Sequence, residues 1–573
     1  MKKRTMSKAA PLLALTLTAG MTAGCGASTV VNDVDVSQEE VQTAMAGADV
    51  SSLPTGHVKG GAAVHDPSII KADDGTYWIF GSHMAVAKSD DLRQWSGVFA
   101  NVSRHNKLFS NLFADDSDAF GWVGKNSEGG YSIWAPDVIY NKKMQKYCMY
   151  FCTSSTYIKS SLCWATSDTI NGPYEYQGRL IDSGFTRLDA KKGKVDILDY
   201  CEDELDFKTR YLNLTDYNNT DWPNAIDPTV FYDADGKMWM VYGSWSGGIF
   251  ILEIDEETGL PIHPERDDEN GVDAYFGKRL IGGGHQSCEG PWIQYDAVSG
   301  YYYLFVSYGS LTANGGYQIR LFRSENPDGP YEDAAGQTLG YSDHEKYGVK
   351  MMGNYTFPTL DTTYMAPGHN SAFEDTDGKL YLVYHQRFSD QGETHEPRVH
   401  QLFRTASGWL VAAPFETNGE TIPESGYALS DVIGSYYVVN HGTDISDAVP
   451  EDVLLSLQPD GGIYVVEDAG DTDGSDSSPG SASAQKESAG DTSASGDNKE
   501  EKAVRANSAV TLGEKCGSFS LTEDSPYVTL TIDDATYEGV MIQMQDEADN
   551  PVMCFTACGE NNETVWGVHY LVE

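Results

Sequence analysis

The 573-residue chain sets 39 Lys and Arg against 85 Asp and Glu, a formal charge of −46, and is 40% hydrophobic and 11% aromatic. So acidic a protein repels nucleic-acid phosphates, which excludes that class of partner, whereas a neutral ligand meets no such barrier. The apolar share suffices for a large core, and the length allows a domain of about 350 residues beside one further domain and linkers.

The chain opens with Lys2, Lys3, Arg4 and Lys8, turns apolar from Ala9 to Ala23, and reaches Thr22-Ala23-Gly24-Cys25. Residues 1–25 read as a secretory signal, too short and wrongly flanked to span a membrane. The small residues before Cys25 resemble a bacterial lipoprotein signal, in which that cysteine is lipidated. The expectation is an extracellular protein anchored at the bacterial cell surface, touching the membrane only through a lipid on Cys25. Residues 26–59 are small, polar and acidic, without a strand period, and read as a flexible tether.

Between 60 and 408 one phrase recurs five times: HDPSIIKADDGTYWIFGS from His65, APDVIYNKKMQKYCMYFCTS from Ala135, IDPTVFYDADGKMWMVYGS from Ile226, EGPWIQYDAVSGYYYLFVSYG from Glu289 and GHNSAFEDTDGKLYLVYHQR from Gly368. Each copy is a polar opening, an alternating apolar run, a turn and an aromatic-rich second run, which is the pattern of a β-hairpin. Such a unit cannot bury its own faces, so the copies must pack around an axis. The predicted fold is all-β, a five-bladed β-propeller. The less regular passage from Leu180 to Pro223 reads as a rim insertion that shapes a cleft.

Beyond Trp409 strands continue without the blade phrase, and residues 468–502 consist of small, polar and charged residues with no aromatic or branched aliphatic side chain. The stretch 409–573 is therefore expected to be one small β-barrel-like domain interrupted by a disordered insert at 468–502; two separate modules would leave the first half too small, with an open edge. If Cys25 is consumed, eight of the nine cysteines remain, and in an exported protein some could pair. Cys148, Cys152 and Cys163 lie close together, as do Cys516, Cys554 and Cys558, and none has a CxxC spacing.

Asp66, Asp227 and Glu289 open three of the five copies, and Asp137 opens a fourth, shifted by one residue. An isolated Asp-Pro is usually structural, but equivalent positions of successive blades converge on the central channel. Carboxylates gathered there repel one another, which raises the pKa of at least one. Glycoside cleavage uses that arrangement: one carboxyl protonates the leaving oxygen and another activates water or attacks the sugar. Glu289, longer and beside Trp292 and Cys288, suits the acid; Asp66, beside His65, suits the ionised base; Asp227 suits a partner that keeps the proton on Glu289. Trp134, Trp245 and Tyr308 end the same strands and are candidate platforms for sugar rings. His369 opens the fifth copy where the others carry acids and could complete a metal site with waters.

Taken together, VHDPSII, WAPDV, AIDPTVFYDADGKMWMVYGSWSGGI, EGPWI, SYGSLTANGGYQIR and APGHNS resemble glycoside hydrolase family 43, most closely its extracellular endo-α-1,5-L-arabinanases. The resemblance runs from about Gly60 to Arg404, and the tail is similar to the small C-terminal β-domain some of these enzymes carry. It implies a five-bladed propeller that hydrolyses internal α-1,5-L-arabinofuranosidic bonds of arabinan, a pectin side-chain polysaccharide, with inversion. Asp66 would be the general base, Glu289 the general acid, and Asp227 the modulator of that acid; Asp137 is not among the three. It also implies a calcium ion near the axis, held by His369 and water, and places Trp134 and Trp245 among substrate-contacting segments. Base and acid should then stand roughly 6.5 to 9.5 Å apart. A monomer is expected. Two other readings stay open: an exo-acting α-L-arabinofuranosidase or β-xylosidase of the same fold, and a non-catalytic surface glycan-binding lipoprotein, against which the complete acid set argues.

Overall fold

The computed structural model describes residues 47–341, 343–467 and 511–571. The signal, Cys25, the first part of the tether and the insert at 468–502 lie outside them. Among the described residues no helix is long and apolar enough to cross a membrane.

Each repeated phrase supplies the first two strands of one antiparallel sheet. Blade I comprises Ser68–Lys71, Tyr77–Gly81, Ala85–Ser89 and Ser96–Phe99; blade II comprises Ser132–Asn141, Lys146–Ser154, Ser160–Ser167 and Glu175–Asp182. Blade III is built on Thr229–Tyr232, Met238–Tyr242, Ile249–Ile254 and Gly277–Ile281, with two short strands added at its edge. Blade IV comprises Cys288–Asp296, Tyr301–Tyr308, Gln318–Ser324 and Val349–Met352; blade V comprises Tyr364–Glu374, Leu380–Phe388, His395–Arg404 and Leu410–Ala412. The Asp-Gly turns of the phrase behave as their chemistry requires. Gly75, Gly236 and Gly378 sit at φ 91°, 81° and 82°, and the Asp233 carboxylate accepts the amides of Asp235 and Lys237 at 2.9 Å each.

The first strand of each blade touches the first strand of the next, and that of blade V touches that of blade I, so the five sheets close a ring around one axis. Apolar residues gather in the seams. One cluster joins Trp78 and Phe80 to Phe151, another Tyr150 to Met240, another Val241 to Leu304, another Phe305 to Leu382, and another Ile79 to Val383, one for each pair of neighbouring blades. No strand is shared between blades I and V. Polar contacts fasten them instead: Ser371 Oγ donates to Pro67 O at 2.7 Å, and Asp375 receives Lys71 and the Tyr77 hydroxyl at 2.5 Å each.

The strands from Gly434–Asn440 to Thr564–Tyr570 form a closed eight-stranded barrel. Gly462–Glu467 and Thr511–Leu521, on either side of the insert, are neighbours in it, so the C-terminal region is one domain rather than two modules. Its interior is filled by Tyr436, Phe519, Met541, Phe555 and their neighbours. Its outer face joins the seam of blades IV and V, where Trp566 lies edge-on to Tyr355 (5.1 Å) and His441 (4.4 Å).

Two sequence boundaries move. Leu410–Ala412 pairs with Leu402, Phe403 and Arg404, so the propeller runs past 408 and the barrel begins at Gly434. The end of the stretch read as a tether is packed: Ala48 N bonds Tyr570 O at 3.1 Å, Gly56 N bonds Thr359 O at 2.9 Å, and Val58 is buried. Its polarity misled because this segment satisfies its backbone against two domains at once. The 180–223 insertion folds as helices Arg187–Lys191 and Glu204–Tyr211 and buries Phe185, Phe207 and Tyr211 in the blade II–III seam. The described cysteines, Cys148, Cys152, Cys163, Cys201, Cys288, Cys516, Cys554 and Cys558, are all free thiols.

Candidate active site

At or near the start of every blade's first strand stands a residue followed by proline, and that residue is in the left-handed region: Asp66 φ 56°, Ala135 φ 37°, Asp227 φ 56°, Gly290 φ 59° and Ala366 φ 51°. In blades II, IV and V the pairing register jumps across this pair. Proline cannot donate to the ladder, and a left-handed non-glycine residue costs on the order of 1–3 kcal/mol, so in those three blades the pair is a built-in bulge, while in blades I and III it stands just ahead of an unbroken first strand. In blades I and III that residue is an aspartate. Glu289 precedes the blade IV position by one and pairs with Ser307.

Asp66 is buried among imidazoles. Its Oδ1 lies 2.7 Å from His65 Nδ1, 3.0 Å from His369 Nδ1 and 3.8 Å from His385 Nδ1, while Ser82 Oγ donates to Oδ2. Burial pushes the carboxyl up, but His369 and His65, with His385 behind, outweigh it and hold Asp66 well below the usual carboxylate range. Burial also depresses His369 and His385, so near neutral pH His369 supports Asp66 as an N–H donor more than as a cation, while His385 Nδ1 accepts the Asp66 backbone amide at 3.4 Å.

Asp227 has the opposite environment. Burial first, then the charges of Glu289 and Asp66, push its carboxyl well above the usual range, and one amide, Gly290 N at 3.3 Å, offsets this only in part. Glu289 is held at both oxygens: Trp245 Nε1 donates to Oε2 at 2.7 Å with Ser244 Oγ at 3.1 Å, and the Tyr317 hydroxyl meets Oε1 at 2.8 Å. Indole can only donate, whereas a phenol can donate or accept, so a proton on Glu289 is accommodated at Oε1. Gly368 makes room for this contact, since a Cβ there would stand 2.2 Å from the Tyr317 ring. The three acids thus meet in one channel, with His369 between Asp66 and Gly290.

Asp137 is elsewhere in role: it receives Ser68 Oγ and Val230 N (2.7 Å), tying blades I and III to blade II, and burial pushes its carboxyl up to about 6. Trp134 is half-buried, bonded through Nε1 to Ser154 Oγ at 2.9 Å and edge-on to His83 at 4.4 Å. Trp245 turns its indole N–H on Glu289. Tyr308 is not a substrate contact. It is 0% exposed and packs against His344 inside the blade III–IV core. Successive strand residues face opposite sides, and it is the neighbouring Ser307 that faces the channel, where its Oγ accepts the amide of His369 at 2.7 Å. Sequence reasoning missed His385, Ser82, Ser244 and Tyr317. All four lie within phrases already singled out, Ser82, Ser244 and His385 at the ends of second-strand runs and Tyr317 in SYGSLTANGGYQIR, but no spacing marks which residues of a neighbouring blade complete a site.

For a metal, His65, Asp66 and His385 bring ligand atoms within 4.8 Å of one another. Two imidazoles with one carboxylate are a poor cage for calcium, which takes six to eight oxygens. His369 commits Nδ1 to Asp66 and retains Nε2, so it fits calcium only as a single protein ligand to an otherwise hydrated ion.

Residues 208–410 match the family described as glycosyl hydrolases family 43, and residues 484–567 match a C-terminal lipocalin-like domain. The chain is 40% identical over 410 residues to extracellular endo-α-(1→5)-L-arabinanase 2 of Bacillus subtilis strain 168, covering 69% of this chain and 79% of that protein. It is 39% identical over 415 residues to the extracellular endo-α-(1→5)-L-arabinanase of Thermotoga petrophila, covering 70% and 81%. Among solved structures, a glycoside hydrolase family 43 protein of Bacillus licheniformis superposes with a TM-score of 0.70 at 36% identity, over 90% of this chain and 99% of that one.

Proposed function

The chain belongs to glycosyl hydrolase family 43, and from that premise we propose that it hydrolyses internal α-1,5-L-arabinofuranosidic bonds of arabinan, with inversion. The observation that carries the mechanism is the split between the two aspartates flanking Glu289: Asp66 is held low and ionised, while burial and the charges of Glu289 and Asp66 push Asp227 well above the usual carboxylate range.

In this reading Asp66 takes a proton from the water that attacks the anomeric carbon. Glu289 gives its proton to the departing O5 of the next sugar, and Asp227 keeps that proton available and Glu289 oriented. The sum is one water added across one glycosidic bond, and the proton taken by Asp66 is returned through solvent to Glu289. Substrate contact is proposed for Trp134, beside His83 at the channel end. A calcium ion, if bound, would be held by His369 and water and would bring positive charge to the axis; no step above depends on it.

The endo-arabinanases among the relatives are named extracellular, which with the signal supports action outside the cell; anchoring through Cys25 rests on the lipoprotein-like signal alone, and a monomer is proposed with it. Arabinan is the substrate their names support. The test is chromatography of products from linear, debranched arabinan. A ladder of oligosaccharides from wild type, and a fall of at least 10²-fold for Glu289→Gln with folding intact, is expected. Monosaccharide alone would replace endo by exo action, and an active Glu289→Gln would remove Glu289 as the acid.

A further inference from the structure

The acid's tryptophan is held by a device that reaches into three blades. Trp245 and Ser246 are consecutive non-glycine residues in the left-handed region, φ 49° and 39°, so the loop between the second and third strands of blade III is not in a conformation these residues adopt unaided. Trp245 N bonds Cys288 O at 2.8 Å, next to Glu289 itself. Ser246 is buried, its carbonyl accepts His285 N at 2.8 Å, and its hydroxyl meets the Tyr157 hydroxyl at 2.7 Å. That phenol also reaches His285 Nδ1 at 3.0 Å, and His285 lies edge-on to the Trp245 ring at 5.7 Å.

Tyr157 comes from the loop between the second and third strands of blade II, His285 from the approach to blade IV. The Tyr157 ring is 49% exposed, yet its hydroxyl is spent on two partners and its carbonyl on Asn224 Nδ2 at 2.7 Å. An exposed tyrosine fastened at both ends is costly in side-chain freedom unless the fastening does something. Glu289 lies close enough for its charge to act on the Tyr157 phenol.

We propose that Tyr157, through Ser246 and His285, is a positioning residue for the general acid: it locks the 245–246 turn so that Trp245 Nε1 stays on Glu289 Oε2 and the Glu289 proton faces the leaving oxygen. This rests on the reading of Glu289 as the acid. Removing the phenol hydroxyl leaves ring and fold in place but lets the turn relax and the carboxyl swing. Protonation of the leaving group then suffers, and water activation by Asp66 does not.

Leaving-group dependence separates this from a binding or structural role. A sugar alkoxide needs the acid's proton to depart, while 4-nitrophenolate hardly does. Tyr157→Phe and Glu289→Gln are each assayed on debranched arabinan and on a 4-nitrophenyl glycoside of α-1,5-arabinotriose. Tyr157→Phe is expected to lower kcat on arabinan about tenfold and on the aryl substrate less than about threefold, in the same direction as a larger split for Glu289→Gln. Ser246→Ala combined with Tyr157→Phe should add little to either alone. An equal fall on both substrates, or no fall on either, overturns the assignment of Tyr157. If Glu289→Gln itself loses both substrates equally, the acid reading fails, and the Tyr157 inference with it.

Discussion

Asp66 and Asp227 occupy the same place in their blades, both left-handed before proline, yet their chemistry is opposite because of what the neighbouring blades supply. Asp66 faces three imidazoles and Ser82; Asp227 faces Glu289 and a single amide. Linkage makes the contrast measurable. With a folded pKa raised above its unfolded value, Asp227 adds stability below about pH 4 that is lost as pH rises through the folded pKa. Asp227→Asn keeps an acceptor for Gly290 N and removes the charge. Its thermal midpoint should exceed wild type by about 2 °C at pH 8 and match it at pH 4, while arabinan turnover collapses. A lower midpoint at pH 8 would contradict the strain assigned to this carboxyl. The aspartates were legible because each announces itself before a proline. Tyr308 was misread because sequence does not say which face of a strand meets the channel, and Tyr317 was passed over for the same reason.

At the scale of the element, the recurring unit is the hairpin together with the residue–proline pair at or near its start. The hairpins were legible from alternation and Asp-Gly turns. The pair was only half legible: the fifth phrase appeared to begin at Gly368, whereas its structural counterpart is Ala366-Pro367, two residues earlier. Blade IV uses Gly290 at this position for two reasons. Its φ is +59°, and a Cβ would stand 3.0 Å from the His369 ring. Gly290→Ala should therefore cost about 1–2 kcal/mol of stability and push His369 from Asp66. In pH–rate profiles the acid limb, set by Asp66, should move to higher pH as that donor is lost; an unmoved limb would separate His369 from the ionisation of Asp66.

For the whole molecule, closing five sheets into a ring leaves one seam between the first and last blades, and both ends of the described chain converge on it. Barrel residue Glu547 accepts Val58 N at 2.9 Å and the Tyr364 hydroxyl, while Arg398 of blade V pairs with Glu416 at 2.6 Å and Glu396 at 3.1 Å and donates to Val58 O. Burial pushes Glu416 and Glu547 up, against the pull of Arg398. The barrel, its interior filled by its own side chains, thus acts on the propeller as a clasp. Glu547→Ala strands the Val58 amide and the Tyr364 hydroxyl, at a cost of about 2–4 kcal/mol. Calorimetry should show one unfolding transition in wild type separating into two, with kcat on arabinan at 25 °C unchanged within about twofold. A single transition at the wild-type temperature would remove the clasp.

By itself the sequence determined the hairpin, its fivefold recurrence and the acids that open the copies, because alternation, turn residues and proline act locally and leave their mark wherever they occur. It also carried the single C-terminal domain, since the first half alone would be too small and would leave an open edge. Only the tertiary structure decided that Asp66 is pulled down and Asp227 pushed up, that the Trp245 indole bonds Glu289, that Tyr308 is core, and that residues 47–59 are fastened instead of free. Those outcomes depend on which side chains of different blades meet. Such pairings lie up to hundreds of residues apart in the chain and are set by closure of the ring, which no local pattern encodes.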